Sequence, residues 1–461
     1  MPVIKSSQSS DHGLHRLRPP PFPSRPGPSI NRFPFRRLVD FKSSPTLLDW
    51  QESTNRCRRT SFVHILQRLL LTRCNVGQVM SIDMLPDDVL LEIFDFFVEE
   101  KSPINVKIEV WQTLVHVCRR WRSVVFGSPH RLNLRLVCSA KTPARDTLDV
   151  WPPLPLSIEC YEITGSVDNI IAALEHSDRV HHIYLYFEGL DLDKLSAAMQ
   201  VPFPELTFLG LWSNGKTVSA LPDSFLGGSA PRLETLWLRR IPFPGLPKLL
   251  LSATHLSSLL LEGIPHSGYF SPEAIVTALS TLTHLGSLSL RFVSPQSRPD
   301  PEHQHPPPST RSVLHNLVDF QFKGDSEYLE VVVALIDAPR LKYLHTVLFN
   351  DIIFDTPQLT QFISRTSIMK ALEKARVSFE GDAATVKLSS LTSGKYDKLE
   401  VRIPCKELDW QVSSMEQICT SCLPPIPTLD LYIDGSSYFD NIGKATSKIR
   451  YGCDCYAHLH P

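Results

Sequence analysis

The sequence predicts an α/β protein: a small helical module after residue 79, then an irregular array of short strands lined up in one parallel sheet. Three observations lead there. Residues 85–125 carry apolar side chains at helical spacing. From about residue 150 a unit of the form apolar-x-x-apolar-x-apolar recurs, with central positions 23 to 32 residues apart. No apolar run approaches the ~20 residues that span a bilayer; the ten-residue stretch Phe62–Leu71 is broken by His64 and Arg68 and reads as an amphipathic helix.

The module opens with Leu85-Pro86-Asp87-Asp88-Val89-Leu90-Leu91-Glu92-Ile93-Phe94. Pro86 suits a first helical turn, where its missing N–H costs little, and Asp87 and Asp88 favour the positive end of the helix dipole. Val89, Ile93, Phe94 and Phe97 then give one apolar face. A second helix is expected from about Glu109 to Val125, with Trp111, Leu114, Val115, Val117, Cys118 and Trp121 on its apolar side. Two helices this apolar cannot bury everything against each other, and the surplus marks a docking surface.

These two motifs, in this order, resemble an F-box, the three-helix module that binds a Skp-type adaptor. Residues around Cys419–Leu429 are also similar to stretches of the large F-box families of mushroom-forming fungi. The resemblance implies that the chain joins a cullin-scaffolded ubiquitin ligase. It also implies that Leu85, Pro86, Ile93, Phe94, Leu114, Val117, Cys118 and Trp121 supply adaptor contacts or the packing beneath them. The other reading of each residue is plain core of a small helical domain.

The repeats read Val180/Ile183/Leu185, Leu206/Leu209/Leu211, Leu233/Leu236/Leu238, Leu256/Leu259/Leu261 and Leu285/Leu288/Leu290, followed by Leu317/Phe320/Phe322 and Leu341/Leu344. Weaker copies stand at Leu372/Ala375/Val377, Tyr396/Leu399/Val401 and Ile426/Leu429/Leu431. The period overlaps that of the leucine-rich repeat, a solenoid with one short strand per turn and its parallel sheet on the concave face. Alternation along each strand points the last two apolar positions inward and the intervening residue outward. Leu192–Met199, Glu273–Leu279 and Glu330–Ile336 are expected as return helices, although the β-branched run in the third leaves helix and strand hard to separate. Pro204, Pro231 and Pro339 each end a segment two residues before the next repeat. The Asn that closes a standard leucine-rich turn occurs only at Asn214, so the solenoid should be degenerate. An ordinary leucine-rich α/β domain is the alternative.

Four regions follow. Residues 1–78 form a Pro/Arg/Ser-rich leader, with 13 Lys/Arg against 4 Asp/Glu in residues 1–80, too polar to offset the entropy of ordering. An organelle transit peptide is a weaker reading, and the working protein could begin near Met80 or Met84. Residues 79–135 are the helical module, 150–434 the array with a solvated insertion at 294–311, and 435–461 an irregular tail, frayed or cut short.

The chemistry is sparse. Net charge is −1, so no overall field favours nucleic acid or membrane. Ten scattered cysteines suit reduced thiols in the cytoplasm or nucleus. Cys419, Cys422, Cys453 and Cys455 lack a strong zinc spacing, and His303 and His305 lie in a proline-rich loop without fixed geometry. There is no phosphate loop, dinucleotide fingerprint, nucleophile elbow or zinc-protease motif, so no cofactor and no enzyme activity are expected.

The expected function is therefore a substrate receptor: helices on the adaptor, and outward strand residues on a target protein. Phe208, Glu234, Trp237, Ser258 and Ser287 are the candidate target contacts, within a wider set that adds Thr207, Gly210, Thr235, Ser257, Leu260, Gly286 and Ser289. Trp237 leads, because an exposed aromatic on a rigid sheet makes a strong anchor; its ring could instead tuck under a loop. The alternative function is a leucine-rich interaction scaffold with no ubiquitin role, whose helices merely cap the array. Pro152, Pro153 and Pro155 separate the two regions and favour an independent module.

Overall fold

In a computed structural model the chain divides into Met1–Met80 and Ser81–Pro461, and every described residue lies in the second unit. Described are residues 85–100 and 110–460 apart from gaps, the longest being 162–165, 188–191, 215–218, 296–310, 350–355, 368–371, 391–398, 422–427 and 434–455. The leader, nearly all of the insertion and most of the tail therefore fall outside the described residues.

The unit is mixed α/β, built on a large, mostly parallel sheet. It opens with three helices, α1 (Asp87–Glu100), α2 (Val110–Val117) and α3 (Arg119–Gly127). The expected single helix from Glu109 to Val125 is thus two. Cys118 adopts extended backbone between them, and its Sγ accepts the Trp121 amide at 3.5 Å as an N-cap. Arg120 ties the helices together: it bonds the Leu85 carbonyl and pairs with Asp87 at 2.7 Å, at the start of α1. Beneath them Leu90, Phe94, Leu114, Val115 and Val125 form the module's core.

The sheet follows: β1 (Leu136–Cys138), β2 (Leu156–Cys160), β3 (Val180–Phe187), β4 (Phe208–Ser213), β5 (Thr235–Arg239), β6 (Ser258–Ile264), β7 (Ser287–Phe292), β9 (Asp319–Gly324) and β11 (Tyr343–Leu348) pair in that order, all parallel. The short β8 (Ser312–Val313) and β10 (Ile336–Asp337) pair separately. The register places the repeat positions opposite one another. Ile158, Ile183, Leu209, Leu236, Leu259, Leu288, Phe320 and Leu344 form one buried ladder. Leu185, Leu211, Leu238, Leu261, Leu290, Phe322 and Thr346 form a second. Thr346 is tolerated there because its hydroxyl bonds the Glu400 carbonyl at 3.3 Å.

Return segments cover these ladders: α4 (Ala144–Val150), α5 (Val167–Leu174), α6 (Leu192–Ala198), a 3₁₀ turn (Phe225–Gly228), α7 (Leu246–Leu250), α8 (Pro272–Leu279), α9 (Ser326–Leu335) and α10 (Pro357–Arg365). The three expected return helices correspond to α6, α8 and α9; the β-branched run stays helical and ends as Ile336 enters β10. Pro272 opens α8 behind Ser271, whose hydroxyl caps the Ala274 amide at 3.1 Å. Helix and strand side chains belong to one continuous core.

Past β11 the parallel order changes. β12 (Lys374–Glu380) and β13 (Ala383–Ser389) form an antiparallel pair, and β14 (Leu399–Pro404) lies between β11 and β13, so the weaker repeats are not stacked in sequence order. The reason is local. Glu380 opposite Ala383 leaves only Gly381 and Asp382 for the connection, too few for a crossover. After α11 (Leu408–Ser421), β15 (Thr428–Ile433) pairs with β12, and β16 (Tyr456–His460) extends the sheet into the expected irregular tail.

Candidate functional site

Two surfaces hold the residues singled out by sequence. On the helices, Phe94 and Leu114 are core. Leu85, Ile93, Cys118 and Trp121 are half-buried, while Pro86 is exposed and Val117 is 59% exposed. Trp121 packs on Phe94 with ring centroids 4.7 Å apart. Of these residues Pro86 and Val117 are the ones open to solvent.

The opposite fate befalls Trp111. It is buried, lies 5.2 Å from Trp151 and 6.0 Å from Phe126, and its indole N–H donates to the Arg135 carbonyl at 3.2 Å. The proline cluster after Trp151 does not hold the module apart; the helices pack onto the start of the sheet.

The second surface is the face of the sheet opposite the ladders. Its outward positions align in rows across strands spaced about 4.8 Å apart. The first row reads His182, Phe208, Thr235, Ser258, Ser287, Asp319 and the second Tyr184, Gly210, Trp237, Leu260, Ser289, Gln321. The third reads Tyr186, Trp212, Arg239, Glu262, Arg291, Lys323. Phe208, Ser258 and Ser287 thus share a row, Trp237 stands in the next, and exposed Glu234 sits just before β5. Ser258 is buried, its outward position shielded by neighbours.

The sheet gathers rings that no single segment contains. Trp237 lies 5.5 Å from Trp212 and 6.1 Å from Tyr184; Tyr161 lies 4.9 Å from Tyr184; Tyr186 lies 5.8 Å from Trp212; and His182 stacks on Phe208 at 4.2 Å. Gly210 makes room in the middle: a Cβ there would meet Tyr184 Cδ2 at 2.9 Å and Phe208 Cε1 at 3.1 Å. Trp237 is half-buried in this cluster, and among the described residues its buried indole N–H has no hydrogen-bond partner. Burial raises the Tyr184 phenol, and burial together with the charge and hydrogen bond of Glu159 raises that of Tyr161, so both stay neutral at ordinary pH. Such a platform suits apolar and aromatic side chains of a partner.

Tyr161, Tyr184, Tyr186 and Trp212 were not among the sequence candidates. The alternation that marked Phe208 and Trp237 also marks Tyr184, Tyr186 and Trp212, each flanked by inward residues of its strand.

Among the described residues no group of three or more His, Cys, Asp or Glu could hold a metal ion, and no helix is long and apolar enough to cross a membrane. Cys419 lies in α11, while Cys422, Cys453, Cys455, His303 and His305 are outside the described residues. Compared with known proteins, the chain matches no family model and no curated protein.

Proposed function

We propose that the chain is the substrate-recognition subunit of a cullin-scaffolded ubiquitin ligase, with an F-box-like module docking on a Skp-type adaptor and a leucine-rich-repeat-like sheet holding a target protein. No chemistry from this chain is needed. Holding a target lysine near the charged conjugating enzyme raises its effective concentration. The ligase role rests on the resemblance of residues 85–122; the observation that best supports partner binding is the aromatic platform around Trp237. Aromatic residues with a rigid backing are where binding energy concentrates at interfaces.

The test is a pull-down with purified Skp-type adaptor. Val117→Glu places a charge on an exposed position and should leave the far-UV circular dichroism unchanged. It should weaken adaptor capture at least about tenfold, the cost of burying an unpaired charge. Undiminished capture by a folded Leu85→Asp/Val117→Glu variant would contradict the docking surface.

A second reading has an observation behind it. The burial of Trp111 against Trp151 gives the helices a capping role on the sheet, as a scaffold without ubiquitin function requires. In that case the wild-type chain captures no adaptor.

A further inference from the structure

A cleft of about 860 Å³ opens where β5, β6, β7 and β9 end, beside the aromatic platform. Arg239, Arg240, Arg291 and Lys323 line this cleft, against a single lining carboxylate among the described residues, Glu262.

That carboxylate does not neutralise them. Arg239, Glu262, Arg291 and Lys323 are consecutive members of one cross-strand row. Glu262 is shared, 3.8 Å from Arg239 and 3.8 Å from Arg291, beyond hydrogen-bond reach of either. Arg239 is braced over the Trp212 ring at 4.3 Å, and Arg291 donates to Gln321 at 2.6 Å. Arg240 and Lys323 have no carboxylate partner among the described residues.

Arg240 is also strained. Its φ of 54° lies in the left-handed region that non-glycine residues seldom occupy, while its amide bonds the Glu262 carbonyl at 2.7 Å. The backbone thus holds an arginine at the rim at a local cost, the kind of strain that collects at ligand sites. Gly263, at φ 65°, lies opposite; a Cβ there would meet the Arg240 side chain at 3.0 Å.

We infer that this cleft binds a ligand carrying at least two phosphate groups. Arg239 and Lys323 stand at the two ends of this row, three strand spacings or about 14 Å apart with Arg291 between them, a span that one phosphate does not bridge. Guanidinium groups match phosphate oxygens in paired hydrogen bonds. The phosphates could belong to a free small polyphosphate or to a doubly phosphorylated segment of a protein. The cleft's chemistry is independent of what the helices dock on.

Isothermal titration of the full chain decides it, with tripolyphosphate in one arm and a bis-phosphoserine peptide in the other, its unphosphorylated form as control. Lys323→Gln and Arg291→Gln should each weaken binding about tenfold, one charge-assisted contact apiece. Glu262→Gln should tighten it several-fold by removing the opposing charge of the row, a gain that a structural defect cannot mimic. Binding of tripolyphosphate alone assigns the site to a small ligand; binding of the phosphopeptide alone assigns it to a protein segment. Millimolar-or-weaker binding of both probes overturns the inference, as does binding indifferent to Lys323→Gln and Glu262→Gln.

Discussion

Gly324→Ala tests whether Phe292 on β7 and Phe322 on β9 form a rigid wall at the ends of these neighbouring strands. A Cβ at residue 324 would sit 2.7 Å from Phe322 Cζ and 2.9 Å from Phe292 Cδ2. Ordinary carbon contacts begin near 3.5 Å, so the Phe322 ring must retreat by about 0.8 Å. It has nowhere to go. Phe322 and Phe292 are both buried, and Tyr328 lies 5.9 Å from one and 4.9 Å from the other. Tyr328 is itself buried, with its hydroxyl donating to the Phe270 carbonyl at 3.3 Å. Overpacking of this kind costs about 1–3 kcal/mol. The stiffer unfolded chain returns about 0.4–1 kcal/mol, leaving a net loss centred on about 1.3 kcal/mol and reaching about 2.6 kcal/mol. Urea unfolding followed by circular dichroism should show a lower midpoint. Gly286→Ala is the matched control, because its Cβ would meet only carbonyl oxygens at 3.6 and 3.7 Å, an ordinary contact. It should be neutral or slightly stabilising. If Gly324→Ala proves as stable as Gly286→Ala, the two rings do not form the rigid wall described.

Cys118→Ser replaces a weak sulfur acceptor with a hydroxyl at the start of α3 and should raise stability by about 0.5–1 kcal/mol, read as a higher denaturation midpoint. Glu400 carries the pH prediction. Burial alone would raise its carboxyl, but the hydrogen bond and charge of His345 at 3.2 Å and the charge of Lys387 at 3.5 Å outweigh it and leave the group below its ordinary value. The folded chain therefore holds that proton less readily than the unfolded chain, and the stabilisation is full above the ordinary Glu range and lost as pH falls through the lowered value. Glu400→Gln should cost about 1 kcal/mol at neutral pH and converge with the parent in acid; a gap that persists in acid would contradict the ion-pair origin.

What the sequence made legible followed from period-two alternation. It placed Leu209, Leu236, Leu259 and Leu288 in one ladder, because each strand reports its own inward face. What it concealed depended on relations between distant segments. Tyr184, Trp212 and Trp237 become one platform only once three strands are in register. The break at Cys118 was hidden because neither Gly nor Pro marks it and cysteine is a poor cap. The β12–β13 hairpin had a visible signal in Gly381-Asp382, but the leucine spacing on either side read as further parallel repeats. The prolines after Trp151 suggest a spacer, yet a proline restricts only its own backbone and the residue before it, leaving the Trp151 ring free to pack on Trp111.

That contact reconciles two roles for the helices. Trp111 and Phe126 lie against Trp151 and meet the sheet, whereas Pro86 and Val117 remain in solvent with Leu85, Ile93 and Trp121 half-covered. Capping and docking therefore draw on different residues, and one need not exclude the other. Val117, 59% exposed, therefore offers a substitution that tests the proposed adaptor contact without touching the packing of Trp111 on Trp151.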